Sequence, residues 1–201
     1  MYFLFVRDST VPTLQIEIPN TVTAIKAHAF CNWNGRYITI PKSVTSIGWG
    51  AFHGCIQLIQ LEGGVCYLDK WALGFFDESV TKITLRDDTV GIADQAFCDF
   101  SDLASISIPF GVTSIGDYAF CDCDNLTSIT IPSSVTSIGD EAFSLCDSLT
   151  SVTFENTAGW CASQDENATS GMSISATDLA DPATAATYLT DTYYNYYWKR
   201  T

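Results

Sequence analysis

Eight cysteines in a chain of 201 residues are the first candidates for chemistry, as a disulfide framework or a zinc site. A structural zinc site takes four ligands, commonly as two closely spaced pairs. No Cys-x-x-Cys occurs, and Cys121-Asp122-Cys123 has no second pair at a matching distance. Two histidines, His28 and His53, are the imidazoles available as base or ligand. Both fall in turn positions that the rest of the chain fills with Gly, Trp, Gln, Tyr, Glu, Ser or Cys, so they read as solvent-facing turn residues. No Gly-x-Ser-x-Gly, His-Glu-x-x-His or phosphate-binding glycine loop appears. Asp122-Cys123-Asp124-Asn125 has the acids of a calcium loop, without its glycine or its distal glutamate. The chain reads as non-enzymatic, with no catalytic group, no cofactor site and no metal site.

The cysteines instead follow a rhythm. From Leu103 the chain runs LASISIPFGVTSIGDYAFCDCDN, and from Leu126 it runs LTSITIPSSVTSIGDEAFSLCDS. Such self-similarity marks a solenoid, in which each repeat buries its apolar side against its neighbours. Six units align on Phe30, Phe52, Leu73, Phe97, Phe120 and Phe143, each preceded by an alanine. Five residues before each anchor stands Ile25, Ile47, Leu68, Ile92, Ile115 or Ile138. Cys31, Cys98 and Cys121 directly follow an anchor, while Cys55, Cys123 and Cys146 lie three residues beyond one. That second column is shared with Trp33, Phe76 and Phe100, so it is a packing position where free cysteine acts as a small hydrophobe. Reduced, packed thiols are the expectation.

Within a unit, Ile129-Thr130-Ile131 alternates apolar and polar and stops at Pro132, which reads as a short strand. The same slot holds Ile16-Glu17-Ile18, Ile38-Thr39-Ile40, Ile59-Gln60-Leu61, Ile83-Thr84-Leu85, Ile106-Ser107-Ile108 and Val152-Thr153-Phe154. Seven such strands are expected to stack in parallel. Val135 to Gly139 forms a second extended piece, and Asp140 to Cys146 a compact turn. The third unit is irregular, with Glu62-Gly63-Gly64 replacing the proline turn, so a bend or bulge is expected there. This organisation divides the chain into an N-terminal segment over 1–13, six repeats over 14–154, and a C-terminal segment over 155–201. The last carries Tyr188, Tyr193, Tyr194, Tyr196, Tyr197 and Trp198, and reads as a cap over the open end of the final coil.

Hydrophobic residues make up 47% of the chain, enough for a continuous core, and the net charge is −14. A surface this acidic repels nucleic acid and anionic membranes, so neither is an expected partner. No stretch reaches the length of a membrane span, and the opening MYFLFVRDS lacks a basic n-region and a small-residue cleavage site. No signal peptide is visible in it. The surface left for function is the strand face. Between the inward residues of each strand, Glu17, Thr39, Gln60, Thr84, Ser107, Thr130 and Thr153 point outward in a row, flanked by Gln15, Tyr37, Lys82, Ser105, Ser128 and Ser151. Threonine and serine keep any strand soluble, so the row has a bland reading as well. As a site, it is a flat, donor-rich face suited to backbone groups or sugar hydroxyls. Its candidate residues are Tyr37, Thr39, Gln60, Lys82, Thr84, Ser107, Thr130 and Thr153.

The pattern L-x-x-I-x-I-P-x-x-V-T-S-I-G-x-x-A-F-x-x-C-x-x-L resembles the BspA-like class of leucine-rich repeat over residues 14 to 154. That resemblance implies an α/β solenoid, a right-handed superhelix with one short parallel strand per 21 to 24 residues and a C-terminal cap. It also implies a secreted or surface-displayed protein that adheres to a host or neighbouring-cell protein or glycan, and the chain is expected to be a monomer. The alternative is a passive spacer that projects another domain and binds nothing itself.

Overall fold

The computed structural model describes residues 15–168 and 170–201, and the N-terminal segment 1–13 lies outside them. Each repeat is one coil carrying two short strands. Unit one supplies β1 (Gln15–Glu17) and β2 (Ala24–Ile25), and unit two β3 (Tyr37–Thr39) and β4 (Ser46–Ile47). Unit three holds β5 (Gln60–Glu62), β6 (Val65–Leu68) and β7 (Trp71–Phe75). Units four to six supply β8 (Lys82–Thr84) and β9 (Gly91–Ile92), β10 (Ser105–Ser107) and β11 (Ser114–Ile115), then β12 (Ser128–Ile131) and β13 (Ser137–Ile138). β14 (Ser151–Phe154) closes the repeats.

First strands pair in parallel with equivalent residues opposite each other, Ile16 with Ile38, Ile83 with Ile106 and Ile129 with Val152. The proline after the strand turns the chain: the Val135 amide donates to the Pro132 carbonyl at 3.0 Å, as Val112 does to Pro109 and Val44 to Pro41. Second strands then pair, Ile92 with Ile115 and Ile115 with Ile138. The compact turn that follows uses two left-handed residues per coil, at His28 and Asn32, Gly50 and Gly54, Gln95 and Asp99, Tyr118 and Asp122, and Glu141 and Leu145. Their amides point along the solenoid axis, so Tyr118 N–H reaches Asp140 O and Asp122 N–H reaches Ser144 O, both at 2.9 Å. The second-strand and turn sides are thereby bonded from coil to coil in units four to six, while the first strands pair only as β1 with β3, β8 with β10 and β12 with β14.

The anchors stack inside these turns. Phe97, Phe120 and Phe143 are fully buried, with ring centroids 5.4 and 5.2 Å apart, and Phe30 stacks on Phe52 at 5.2 Å. The second cysteine column does more than fill space. Cys55, Cys123 and Cys146 donate their thiols to the carbonyls of Phe30, Phe97 and Phe120, the anchors of an adjoining coil, at 3.0, 3.2 and 2.9 Å. All eight cysteines are free thiols. The neighbouring Cys146 thiol and burial push the Cys123 thiol up, and burial beside Cys98 pushes Cys121 up to about 12. A high thiol pKa and a buried sulfur both suppress reaction. In native protein at pH 8, Cys55 and Cys123, buried and shifted up, and Cys146, protected by burial although the bond from Cys123 holds its thiol lower, should resist an aromatic disulfide reagent at least about tenfold longer than Cys31, Cys66 and Cys161. Equal labelling rates, read by peptide mass spectrometry, would contradict this packing.

Unit three departs from the expected row. β5 does not join the parallel face but forms an antiparallel hairpin with β6, and β6 continues antiparallel to β7. Gly63 and Gly64, both at positive φ (58° and 85°), make the two-residue turn, a conformation that costs other residues strain. In the second-strand ladder Ala72, not Leu68, stands opposite Ile92. Leu73 sits in a strand rather than a turn, half-buried against the small cluster around Phe52. Strand alternation also hands the packing slot to Phe75, whose ring lies 4.1 Å from Phe100, and leaves Phe76 48% exposed. With the hairpin displaced, coil two meets coil four directly: Asp94 N–H donates to Ile47 O at 2.9 Å. The core divides there into two clusters.

The C-terminal segment closes the other end. It contains β15 (Trp160–Ser163), β16 (Met172–Ser173), α1 (Ala176–Leu179), α2 (Pro182–Thr187), a π-helical turn at Tyr188–Thr192, and β17 (Tyr197–Arg200). These helices are the only ones among the described residues, so the repeats themselves are β-structure and turns. β17 lies antiparallel on β13 with Trp198 opposite Ile138, and β15 pairs with β17. Trp160 and Trp198 are buried against Phe154, their indole N–H groups donating to Asn156 O and Tyr193 O. The aromatic run is the cap.

Candidate interaction surface

The first strands place seven of the eight candidate residues on one exposed face. Tyr37 and Thr39 stand on β3, Lys82 and Thr84 on β8, Ser107 on β10, Thr130 on β12 and Thr153 on β14, all exposed. Lateral pairing sets Thr84 beside Ser107 and Thr130 beside Thr153, while Gln15 and Glu17 flank Tyr37 and Thr39. Ile38, Ile83, Ile106, Ile129 and Val152 turn inward between them, so the face is fixed by the core beneath. Tyr37 is its largest apolar feature, 67% exposed. Between β3 and β8 the face is interrupted, because the strand expected there has left it.

Gln60 leaves with that strand. Its side chain accepts from Arg86 Nη1 at 2.7 Å, and Arg86 also donates to the Asp69 carbonyl and lies over the Tyr67 ring, 4.2 Å from its centroid. Gln60 thus helps one arginine clamp the hairpin to coil four, and it is not part of the row. Ser144, in the turn after Phe143, is buried, and its neighbour Leu145 is exposed.

The reading of the sequence missed a second column on another side of the coil. Asp94, Asp117 and Asp140 follow the second strands, and each links two coils: Asp117 N–H donates to Asp94 Oδ1 at 3.0 Å, and Asp140 N–H to Asp117 Oδ1 at 3.1 Å. The glycines before Asp117 and Asp140 are required by this approach. A Cβ on Gly139 would lie 2.3 Å from Asp117 Oδ1, and one on Gly116 2.5 Å from Asp94 Oδ1. Burial raises Asp94 to about 6 against one lowering backbone hydrogen bond, with Glu166 raising it further. Burial and the Asp94 charge raise Asp117 to about 7. The 23-residue recurrence of Gly-Asp was the available signal. Among the described residues no group of three or more His, Cys, Asp or Glu is placed to hold a metal ion.

The repeat seen in the coils has a counterpart among known families. A family description, the BspA type leucine-rich repeat region, matches residues 8–73 and 72–185 in six copies. The chain belongs to the BspA-type leucine-rich repeat family. Similar solved structures include a leucine-rich repeat protein from Eubacterium ventriosum, 28% identical, covering 70% of this chain and 41% of that one, with a TM-score of 0.47. Another is a leucine rich cell surface protein from Faecalibacterium prausnitzii, 28% identical, covering 76% and 41%, with a TM-score of 0.42. The BspA-type chain therefore spans about two fifths of the length of each of these proteins. No curated protein sequence matches it. Within the BspA-type coil, inward isoleucines, anchor phenylalanine and column cysteine build the scaffold, which leaves the outward strand positions free to vary.

Proposed function

We propose that this BspA-type chain is a non-enzymatic interaction module, secreted or displayed at a cell surface, that binds host or neighbouring-cell protein or glycan through its first-strand face. The family is one of repeat scaffolds suited to protein interaction, and such solenoids bind on extended surfaces. The observation that carries the reading is the exposed row Thr39, Thr84, Ser107, Thr130 and Thr153 with Tyr37 and Lys82, held by a core that uses none of them. Small hydroxyls present donors and acceptors at low side-chain entropy cost, and an exposed tyrosine offers an apolar anchor with a polar tip. No helix among the described residues is long and apolar enough to cross a membrane. The test is binding of the purified chain to immobilised extracellular-matrix proteins and glycans. Saturable binding to at least one of them is expected. A panel without any saturable binding would favour the spacer reading.

A further inference from the structure

We propose that Asn167 is the acceptor for an N-linked oligosaccharide. Two Asn-x-Ser/Thr motifs occur, Asn125-Leu126-Thr127 and Asn167-Ala168-Thr169, and neither has proline in the middle. Asn167 is exposed in the loop between β15 and β16, and its side chain makes no hydrogen bond among the described residues. The loop is shaped by short-range bonds and by one tie to β17, from Lys199 to the Glu166 carbonyl. Asn167 N–H donates to Asp165 Oδ1 at 2.9 Å and Ala168 N–H to Asp165 O at 3.0 Å. The acceptor can thus be drawn into an enzyme site without opening the core.

Asn125 is also exposed, but its surroundings are locked. Its N–H donates to Ser101 O at 3.2 Å, Leu126 is fully buried, and Thr127 O accepts from Thr150 at 3.1 Å. Presenting Asn125 would mean pulling a core leucine out of the stack. Asn167 is therefore accessible in the folded chain, whereas Asn125 is held against the core.

The donor class is an oligosaccharide linked to a lipid pyrophosphate. Asn167 Nδ2 attacks the anomeric carbon and an N–C bond forms. The C–O bond to the pyrophosphate breaks, the lipid pyrophosphate leaves, and the amide gives up one proton. The loop lies on the second-strand side, where Glu166 approaches Lys26 at 4.0 Å and its carbonyl accepts from Lys199. A glycan there would leave the first-strand face open. The assignment rests on the export reading, since the donor is met outside the cytoplasm, but its test does not. Folded protein is incubated with a purified single-subunit oligosaccharyltransferase and a lipid-pyrophosphate-linked oligosaccharide, with a short Asn-Ala-Thr peptide as positive control. One glycan per chain is expected at Asn167, lost in Asn167→Gln and in Thr169→Ala, and unchanged in Asn125→Gln. An unmodified folded chain beside a modified control peptide overturns the proposal, as does modification at Asn125. Export is read separately by fractionation of the producing cells, so failure of one reading leaves the other standing.

Discussion

Replacing Phe120 with alanine is expected to lower stability by about 3 to 5 kcal/mol. The ring is fully buried and stacked on both faces, 5.4 Å from Phe97 and 5.2 Å from Phe143. Removing it leaves a cavity that two coils share, and backbone bonds along the second strands and turns hold those coils at a fixed spacing. Phe120 N–H to Ala142 O, at 2.8 Å, is one of them. The stack cannot collapse into the gap, which puts the cost at the upper part of the range for buried aromatics. Phe30→Ala should cost less, about 1 to 2 kcal/mol, because that ring is only half-buried and stacks on one described aromatic partner in its ladder. Urea unfolding of the two variants reads the difference. Equal losses would mean that the ladder is not the axis of the core.

The second large effect is a dependence on pH set by the acid column. Folded Asp94 and Asp117 keep their protons up to about pH 6 and 7, whereas an unfolded aspartate loses its own near 3.8. Between those values the folded state binds more protons than the unfolded one. The contribution is therefore complete below about pH 4 and is lost as pH rises through 6 to 7. The same chain should be about 2 to 4 kcal/mol more stable at pH 5 than at pH 8, after discounting for the solvent that reaches these partly buried groups. Asp77 and Asp181 are shifted the other way by their hydrogen bonds to Ser79 and Thr184, and so titrate below this window. Lys26, Glu166, Asp140 and Tyr197 also face the column, and most of that set adds negative charge or burial rather than relief. Asp117→Asn keeps an oxygen for the Asp140 amide and removes the charge. It should raise stability at pH 8 by about 1 to 2 kcal/mol and shrink the pH 5 to 8 difference by about half. An unchanged pH profile would show that the column stays ionised without cost.

The repeat was legible because a solenoid asks the same question of every unit. Phe97, Phe120 and Phe143 each answer for their neighbours, so a fixed spacing suffices to name a buried column. Unit three was not, since in the repeat register Gly63-Gly64 reads as a bend within the stack. Two positive-φ glycines between Gln60-Leu61-Glu62 and Val65-Cys66-Tyr67 are a hairpin signal in their own right, and the expected repeat register masked it. Once β5 turned back, Leu68, Leu73 and Phe76 lost the partners that the alignment assigned them. The acid column is hidden in the sequence for a different reason. Aspartate is ordinary in turns, and only the inter-coil bond from Asp117 N–H to Asp94 Oδ1 shows that it is buried and structural. The strand face was legible as a row of outward residues. What that row binds is not, because hydroxyls recur there for solubility as well as for recognition.

The most direct measurement is the affinity of two triple-lysine variants for a matrix ligand that the wild-type chain binds. The first replaces Thr84, Ser107 and Thr130, which are exposed on consecutive strands spanning about 10 Å. Its control replaces Asp102, Asp124 and Asp147, exposed in turns and carrying the larger change of charge. The strand-face variant should stay folded and lose at least about a hundredfold in affinity, since each buried hydroxyl that contacts a partner must be repaid by a hydrogen bond. The control should keep affinity within about threefold, a difference of the size that rim charges produce. Full affinity in the folded strand-face variant would contradict the assignment of function to this face.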